Sequence, residues 1–151
     1  MPRYFLDSSA LVKRYHHETG SAVVDALFDA SDNRLIISKL AIVETQSAFA
    51  RLVREGVLTS SDLSRLVSRL EDDVAGQLLA VAAVSSRRLD DAAQILRTHG
   101  LVAHIRTLDA IHLATAYAVH TRRQLAAFVA ADKKLSSVAV EVYGCAVIDV
   151  G

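Results

Sequence analysis

Four carboxylates in this sequence sit where solubility alone does not explain them: Asp7, Glu44, Asp109 and Asp132. Asp7 closes the apolar run Tyr4-Phe5-Leu6, and Asp132 follows Phe128-Val129-Ala130-Ala131. Glu44 ends Leu40-Ala41-Ile42-Val43, and Asp109 precedes Ala110-Ile111-His112-Leu113-Ala114. A carboxylate among apolar neighbours is costly unless it is paired, at a helix terminus or bound to metal. Several carboxylates held together repel one another, and a hard divalent cation such as Mg²⁺, which prefers oxygen ligands, relieves that repulsion. Beside a phosphodiester, such an ion lowers the pKa of water and offsets developing charge. Each acid also has a plainer reading. Asp7 can be a helix cap, Asp109 a partner of the helix dipole, Asp132 a turn residue and Glu44 an ion-pair partner. Four plain readings at four such positions are together less economical than one shared site.

The elements that must position these acids alternate in type. Residues 4–6 read as a first strand, and Ser8 or Ser9 can cap a helix carrying Leu11, Val12 and Tyr15. Residues 21–30 read as a second helix and 34–37 as a second strand. Ser38 then caps a long helix that Gly56 stops. A helix over 58–76 has the apolar stripe Leu63, Leu66, Val67 and Leu70. The continuous apolar run 78–84 suits a fully buried parallel strand. Ser85 or Ser86 opens a helix closed by Gly100, 101–106 is a loop, and Thr107 caps a helix over 108–122. Residues 125–130 read as a strand, 133–137 as a short helical turn and 146–150 as a last strand. This alternation predicts an α/β fold with a mostly parallel sheet, as one domain over 1–151. In such sheets ligands bind outside the carboxyl ends of the strands, where Asp7 and Asp132 fall.

Composition narrows the classes. The chain has 151 residues, 52% of them hydrophobic, enough for a packed core. Its 17 basic and 17 acidic side chains cancel, so contact with nucleic acid must be local rather than a general coating of a polyanion. The single cysteine, Cys145, rules out a disulfide within the chain and reads as a buried thiol in a reducing compartment. No apolar run reaches the ~18 residues of a membrane helix, and no leader pattern opens the sequence, which together predict a soluble, cytoplasmic protein.

At this point the residues resemble a known family. Phe5-Leu6-Asp7-Ser8-Ser9-Ala10-Leu11-Val12-Lys13 looks like the opening of a PIN domain, and Ile42-Val43-Glu44 matches its second acidic motif. The run from Leu108 to Ala116 resembles the third motif, and that from Phe128 to Leu135 the fourth. The resemblance covers almost the whole chain and is closest to VapC-type toxins of type II toxin–antitoxin modules. It implies a three-layer domain with a five-stranded parallel sheet flanked by helices, and Mg²⁺- or Mn²⁺-dependent endonucleolytic cleavage of RNA. It also implies a homodimer and a cognate antitoxin protein. By position, Asp7, Glu44, Asp109 and Asp132 would be catalytic metal ligands, and Ser9 would support the site. One departure is Ala130, where many relatives carry Thr or Ser; a supporting hydrogen bond and tight binding of a second metal ion are then in question.

Lys13, Arg14 and Arg106 are candidate contacts to RNA phosphates. His112, three residues after Asp109, reads as packing more than catalysis, and no His/Cys cluster supports zinc. Glu71-Asp72-Asp73 and Asp90-Asp91 read as solvated faces. The stripe on 58–76 is a candidate face for the antitoxin. Two other functions remain in view: a degenerate PIN fold that only binds RNA or protein, and a phosphotransferase of the haloacid-dehalogenase type. The latter needs a second Asp two residues after the first, and Ser9 stands there.

Overall fold

The computed structural model describes all residues, 1–151. Its sheet has five parallel strands: β1 (Arg3–Leu6), β2 (Arg34–Ser38), β3 (Leu79–Ala82), β4 (Ala127–Ala130) and β5 (Val147–Asp149). Their order is β3-β2-β1-β4-β5. The chain moves outward from β1 through β2 to β3, then returns to the other side of β1. The order therefore reverses between β1 and β4, and a crevice opens at their carboxyl ends.

Seven helices flank the sheet: α1 (Ser8–Leu11), α2 (Ser21–Asp29), α3 (Lys39–Arg54), α4 (Ser60–Ala75), α5 (Ser86–His99), α6 (Thr107–Arg122) and α7 (Lys133–Tyr143). A 3₁₀ turn, Val12–Arg14, extends α1. Two apolar cores form on the two sheet faces. Leu6, Ile37 and Val129 point to one, with α1 to α4 over them. Phe5, Ile36 and Phe128 point to the other, with α5 to α7 over them. Alternation along each strand makes this division, since successive side chains face opposite ways. Phe5 and Phe128 stack across β1 and β4 with ring centroids 5.8 Å apart, which fixes the two strands that lead to Asp7 and Asp132.

Several sequence expectations change. The run 78–84 is not a fully buried strand. It forms β3 at the sheet edge, and Val81 is 36% exposed. Its apolar composition misleads because one flank has no neighbouring strand. The short turn expected at 133–137 is the 11-residue helix α7, which Gly144 ends at φ 62°. Thr107 is the first residue of α6 and Arg106 holds the cap position. The start of α4 is fixed by a capping box between Thr59 and Asp62. The stripe on α4 is not a free face: Leu66 and Leu70 lie in the core, and Leu63 and Val67 pack against it. Asp73 is not merely solvated, because the Tyr15 hydroxyl donates to its Oδ2 at 2.7 Å. Cys145 is buried, as expected.

Candidate active site

Asp7 leaves β1 and becomes the N-cap of α1, with extended backbone at φ −78° and ψ 175°. Its Oδ1 accepts the Ala10 N–H at 2.9 Å and the Ser9 hydroxyl at 2.7 Å. Ser9 Oγ in turn accepts the Ala131 N–H at 2.9 Å. One serine thus ties the end of β1 to the chain leaving β4. Both bonds to Asp7 fall on Oδ1. The carboxyl is 4% exposed, and burial raises its pKa from 3.8 to about 6, against the opposing pull of Ser9, Ala10 and His112. Repulsion from Glu44 adds only slightly. Desolvation rather than crowding of like charges is therefore what strains Asp7.

Glu44 stands in the second turn of α3, whose start is fixed by Ser38: Ser38 Oγ accepts the Ala41 N–H at 3.0 Å. The Glu44 side chain is half-buried and meets His112 of α6, Nε2 to Oε2 at 2.5 Å. The other ring nitrogen, Nδ1, lies 3.0 Å from Ser38 Oγ. The Glu44 carboxylate can only accept, so Nε2–H donates to it, while Nδ1 and the Ser38 hydroxyl share a second hydrogen bond. Burial alone would raise the Glu44 pKa, but hydrogen bonds from His112 and Ser8 outweigh it and leave it lowered. His112 is 2% exposed. The sequence reading gave it a packing role. The structure makes it the link between β2, α3 and α6. Its position one turn after Asp109 was the visible signal, whereas its partners on a distant helix were not visible.

The remaining two acids are helix-start residues. Asp109 lies in the first turn of α6, and its Oδ2 accepts the Arg106 N–H at 2.9 Å. Asp132 caps α7, and its Oδ1 accepts the N–H groups of Lys134 and Leu135 at 2.8 and 3.1 Å. Each of the four acids thus uses at least one oxygen to hold a protein group. Asp7, Glu44 and His112 come together at the ends of β1 and β2. No three His, Cys, Asp or Glu side chains stand close enough to grip one ion as placed. The donor set nonetheless fits a hard divalent cation: it is all carboxylate oxygen, and it includes a buried, strained carboxyl whose charge a cation would stabilise.

A small cleft of about 250 Å³ adjoins these residues, lined in part by Ser8, Ser9, Lys13, Glu44, Arg51 and Ala131. Lys13 is buried and bonded to Glu18 Oε1 at 3.0 Å and to the Thr19 carbonyl at 2.7 Å. Arg14 pairs with Asp25 at 2.8 Å and covers the Phe28 ring. Two of the three cations expected to meet phosphate, Lys13 and Arg14, are thus engaged within the chain. Arg106 is exposed beside Asp109 and makes no salt bridge. Arg51, on α3, was missed by the sequence reading and lines the cleft. Ala130 is fully buried.

This arrangement is similar to known proteins throughout its length. The family model for the PIN domain matches residues 4–141. Ribonuclease VapC49 of Mycobacterium tuberculosis is 37% identical over 120 residues, spanning 79% of this chain and 78% of that protein. Ribonuclease VapC35 of the same organism is 31% identical over 148 residues, 97% of this chain and 96% of that one. Among solved structures, VapC20 of M. tuberculosis, described as a sarcin-ricin loop cleaving toxin, superposes with a TM-score of 0.67 at 16% identity, covering 89% of this chain and 94% of that one. FitAcB from Neisseria gonorrhoeae superposes at 0.62 with 20% identity, covering 97% and 96%.

Proposed function

The chain belongs to the PIN-domain family, and on that premise we propose that it is a VapC-type endoribonuclease toxin that hydrolyses RNA at Asp7, Glu44, Asp109 and Asp132. The observation that carries this reading is the buried Asp7 carboxyl, raised to about 6 and held in place by Ser9 and Ala10 at the reversal point of the sheet. Folding alone is better served by a neutral residue there.

Asp7, Glu44, Asp109 and Asp132 would hold Mg²⁺ or Mn²⁺, which would supply positive charge beside the phosphodiester and lower the pKa of water. The chain's own residues supply orientation. Ser9 and the Ala10 N–H fix Asp7 through Oδ1. His112 holds Glu44 Oε2. The N–H of Arg106 and those of Lys134 and Leu135 hold one oxygen each of Asp109 and Asp132. Carboxylates held this way lose little freedom when an ion arrives. In this reading the exposed Arg106 and the cleft-lining Arg51 meet phosphate.

The partners belong to the same proposal: a cognate antitoxin protein, a second copy of the chain as homodimer, and a cytoplasmic site of action. No helix is long and apolar enough to cross a membrane. A test is incubation of the purified protein with total RNA and Mg²⁺ or Mn²⁺, followed by mapping of the cut ends. Discrete new ends in the wild type, absent with Asp7→Asn and with chelator, support the reading. A protein that binds antitoxin but leaves RNA intact under both metals would instead be a degenerate, non-catalytic PIN fold. Light scattering at micromolar concentration checks the dimer.

A further inference from the structure

Two clefts lie away from the acids, along α5 and α6. They adjoin, each of roughly 420 Å³, and share Arg87, Arg88, Ala118 and Arg122. One also carries Arg123, and the other Tyr117. The single acid lining either is Asp91, which pairs with Arg88 at 3.3 Å. Arg87, Arg122 and Arg123 are exposed and make no salt bridge. In a chain of zero net charge this is a local positive excess.

From these observations we infer that the α5–α6 groove binds the phosphate backbone of single-stranded RNA flanking the bond cut at the acids. The inference rests on the endoribonuclease reading. Three features point this way. First, Arg87 and Arg88 occupy the first turn of α5, where no acid stands. Positive charge at the positive end of a helix opposes folding; Asp91 offsets it at Arg88, whereas Arg87 has no such partner and is open to an anionic ligand. Second, Tyr117 is 42% exposed at the groove wall and packs on Tyr143 with ring centroids 4.3 Å apart. Cationic side chains beside an exposed aromatic ring are the features with which single strands are held, backbone on charge and base on ring. Third, the groove begins one strand away from Ser38. Its wall residue Ala82 is the register partner of Ser38, which bonds His112. Thr115, another wall residue, lies one turn after His112 on α6. From His112 to Arg122 the helix advances about 15 Å, a distance a few nucleotides can span.

The experiment measures binding apart from cutting. A labelled 20-nucleotide single-stranded RNA is titrated with the protein in chelator, over a range of salt, and anisotropy is read. Replacing Arg87, Arg122 and Arg123 together by Ala should weaken binding roughly tenfold or more at low salt. It should also flatten the plot of log affinity against log salt by about 2, at ~0.7 per phosphate contact. Tyr117→Ala should weaken binding without changing the slope. The melting temperature should stay level, which separates lost contacts from lost fold. With Mn²⁺, cleavage of a dinucleotide, too short to reach from the acids to the groove arginines, should be unchanged by the triple substitution. Unchanged affinity and slope in the triple variant overturn the inference. So does displacement of the RNA by a polyglutamate peptide whose own binding needs the same arginines, since that marks a surface for an acidic protein segment. A wild type that binds RNA through these arginines yet cuts nothing defeats the nuclease reading alone. One that cuts RNA while the triple variant binds as tightly defeats the groove alone.

Discussion

Asp7 and Asp132 arise from the same local grammar and meet opposite environments. Each follows an apolar strand, takes an extended backbone and caps the helix that comes next. Asp7 follows the central strand directly, with α3 packed over α1, and is 4% exposed. Asp132 stands two residues beyond β4, where the sheet is nearing its β5 edge, and it is open to solvent. The buried cap has its pKa driven up to about 6 by desolvation. The lesson is that a capping aspartate becomes a strained, reactive group only when the fold removes its water. The four carboxylates proposed for the site differ in burial: Asp7 is buried, Glu44 and Asp109 are partly buried and Asp132 is exposed.

The largest expected effect tests that difference by chemistry. Asp7→Asn keeps both cap bonds, because Asn Oδ1 accepts as Asp does, but removes the charge. RNA cleavage should fall by about 10²–10³ or more, the scale of losing a placed electrostatic group. Glu44→Gln and Asp109→Asn should fall in the same direction, and Asp90→Asn, an exposed control, should change little. Initial rates of cleavage with Mn²⁺ measure this. Equal loss in all four variants would erase the distinction between site acids and surface acids.

Metal-free stability sharpens the same contrast. Asp7 holds its proton more tightly in the folded state than in the unfolded chain. Its contribution is therefore complete below pH 3.8 and is lost as pH rises through about 6. The shift from 3.8 to about 6 corresponds to about 3 kcal/mol. With chelator present, Asp7→Asn should be more stable than wild type at pH 7 by up to that amount, and the advantage should vanish near pH 4. Urea unfolding at several pH values measures it. Mn²⁺ should then stabilise the wild type, by about 2.7 kcal/mol at a hundredfold excess over its dissociation constant, and Asp7→Asn less.

His112 probes whether Glu44 needs its support. His112→Ala removes the donor to Glu44 and leaves Ser38 Oγ facing a cavity. Loss of such a partner should lower Mn²⁺ affinity and cleavage by about 10–100-fold. His112→Gln can still donate to Glu44, and a partial recovery of metal affinity, read by calorimetry, would show that orientation matters more than volume. If Ala and Gln bind Mn²⁺ as tightly as wild type, His112 serves packing only.

Much of this was legible in the sequence, for identifiable reasons. The strand leading to Asp7 and the helix capped by Ser38 carry strong local signals, an apolar run and a cap followed by a periodic stripe. What failed was whatever depends on neighbours. The run 78–84 reads as buried, yet it lies at an edge, because strand order is set by crossovers and not by composition. The face of α4 looked free, yet its leucines fill the core between α3 and the sheet. Lys13 looked like a phosphate contact, but Glu18 and the Thr19 carbonyl, brought back by the turn at Gly20, claim it. Gly20 is needed there: its φ is +85°, and a Cβ would lie 2.0 Å from the Val150 carbonyl oxygen. Burial of Asp7 likewise depends on α3 and on Ala131, both remote in sequence.

The smallest expected effect separates capping from catalysis at the exposed acid. Asp132 Oδ1 takes both N–H bonds of the α7 cap. Asn can make the same bonds, so Asp132→Asn should leave the melting temperature nearly unchanged, while Ala should cost about 1 kcal/mol of stability. If Asp132 also serves the ion through its other oxygen, both variants should lose cleavage and Mn²⁺ affinity, and Asn should lose them with the fold intact. If it is only a cap, Asn should cut RNA like the wild type and Ala should differ through stability alone. Melting curves and cleavage rates for the two variants, taken together, decide between these outcomes. Because the carboxyl is already solvated, adding or removing its charge at neutral pH should shift metal-free stability far less than the same change at Asp7. A metal-free gain for Asp132→Asn as large as that for Asp7→Asn would mean that burial is not what sets the two ends of the site apart.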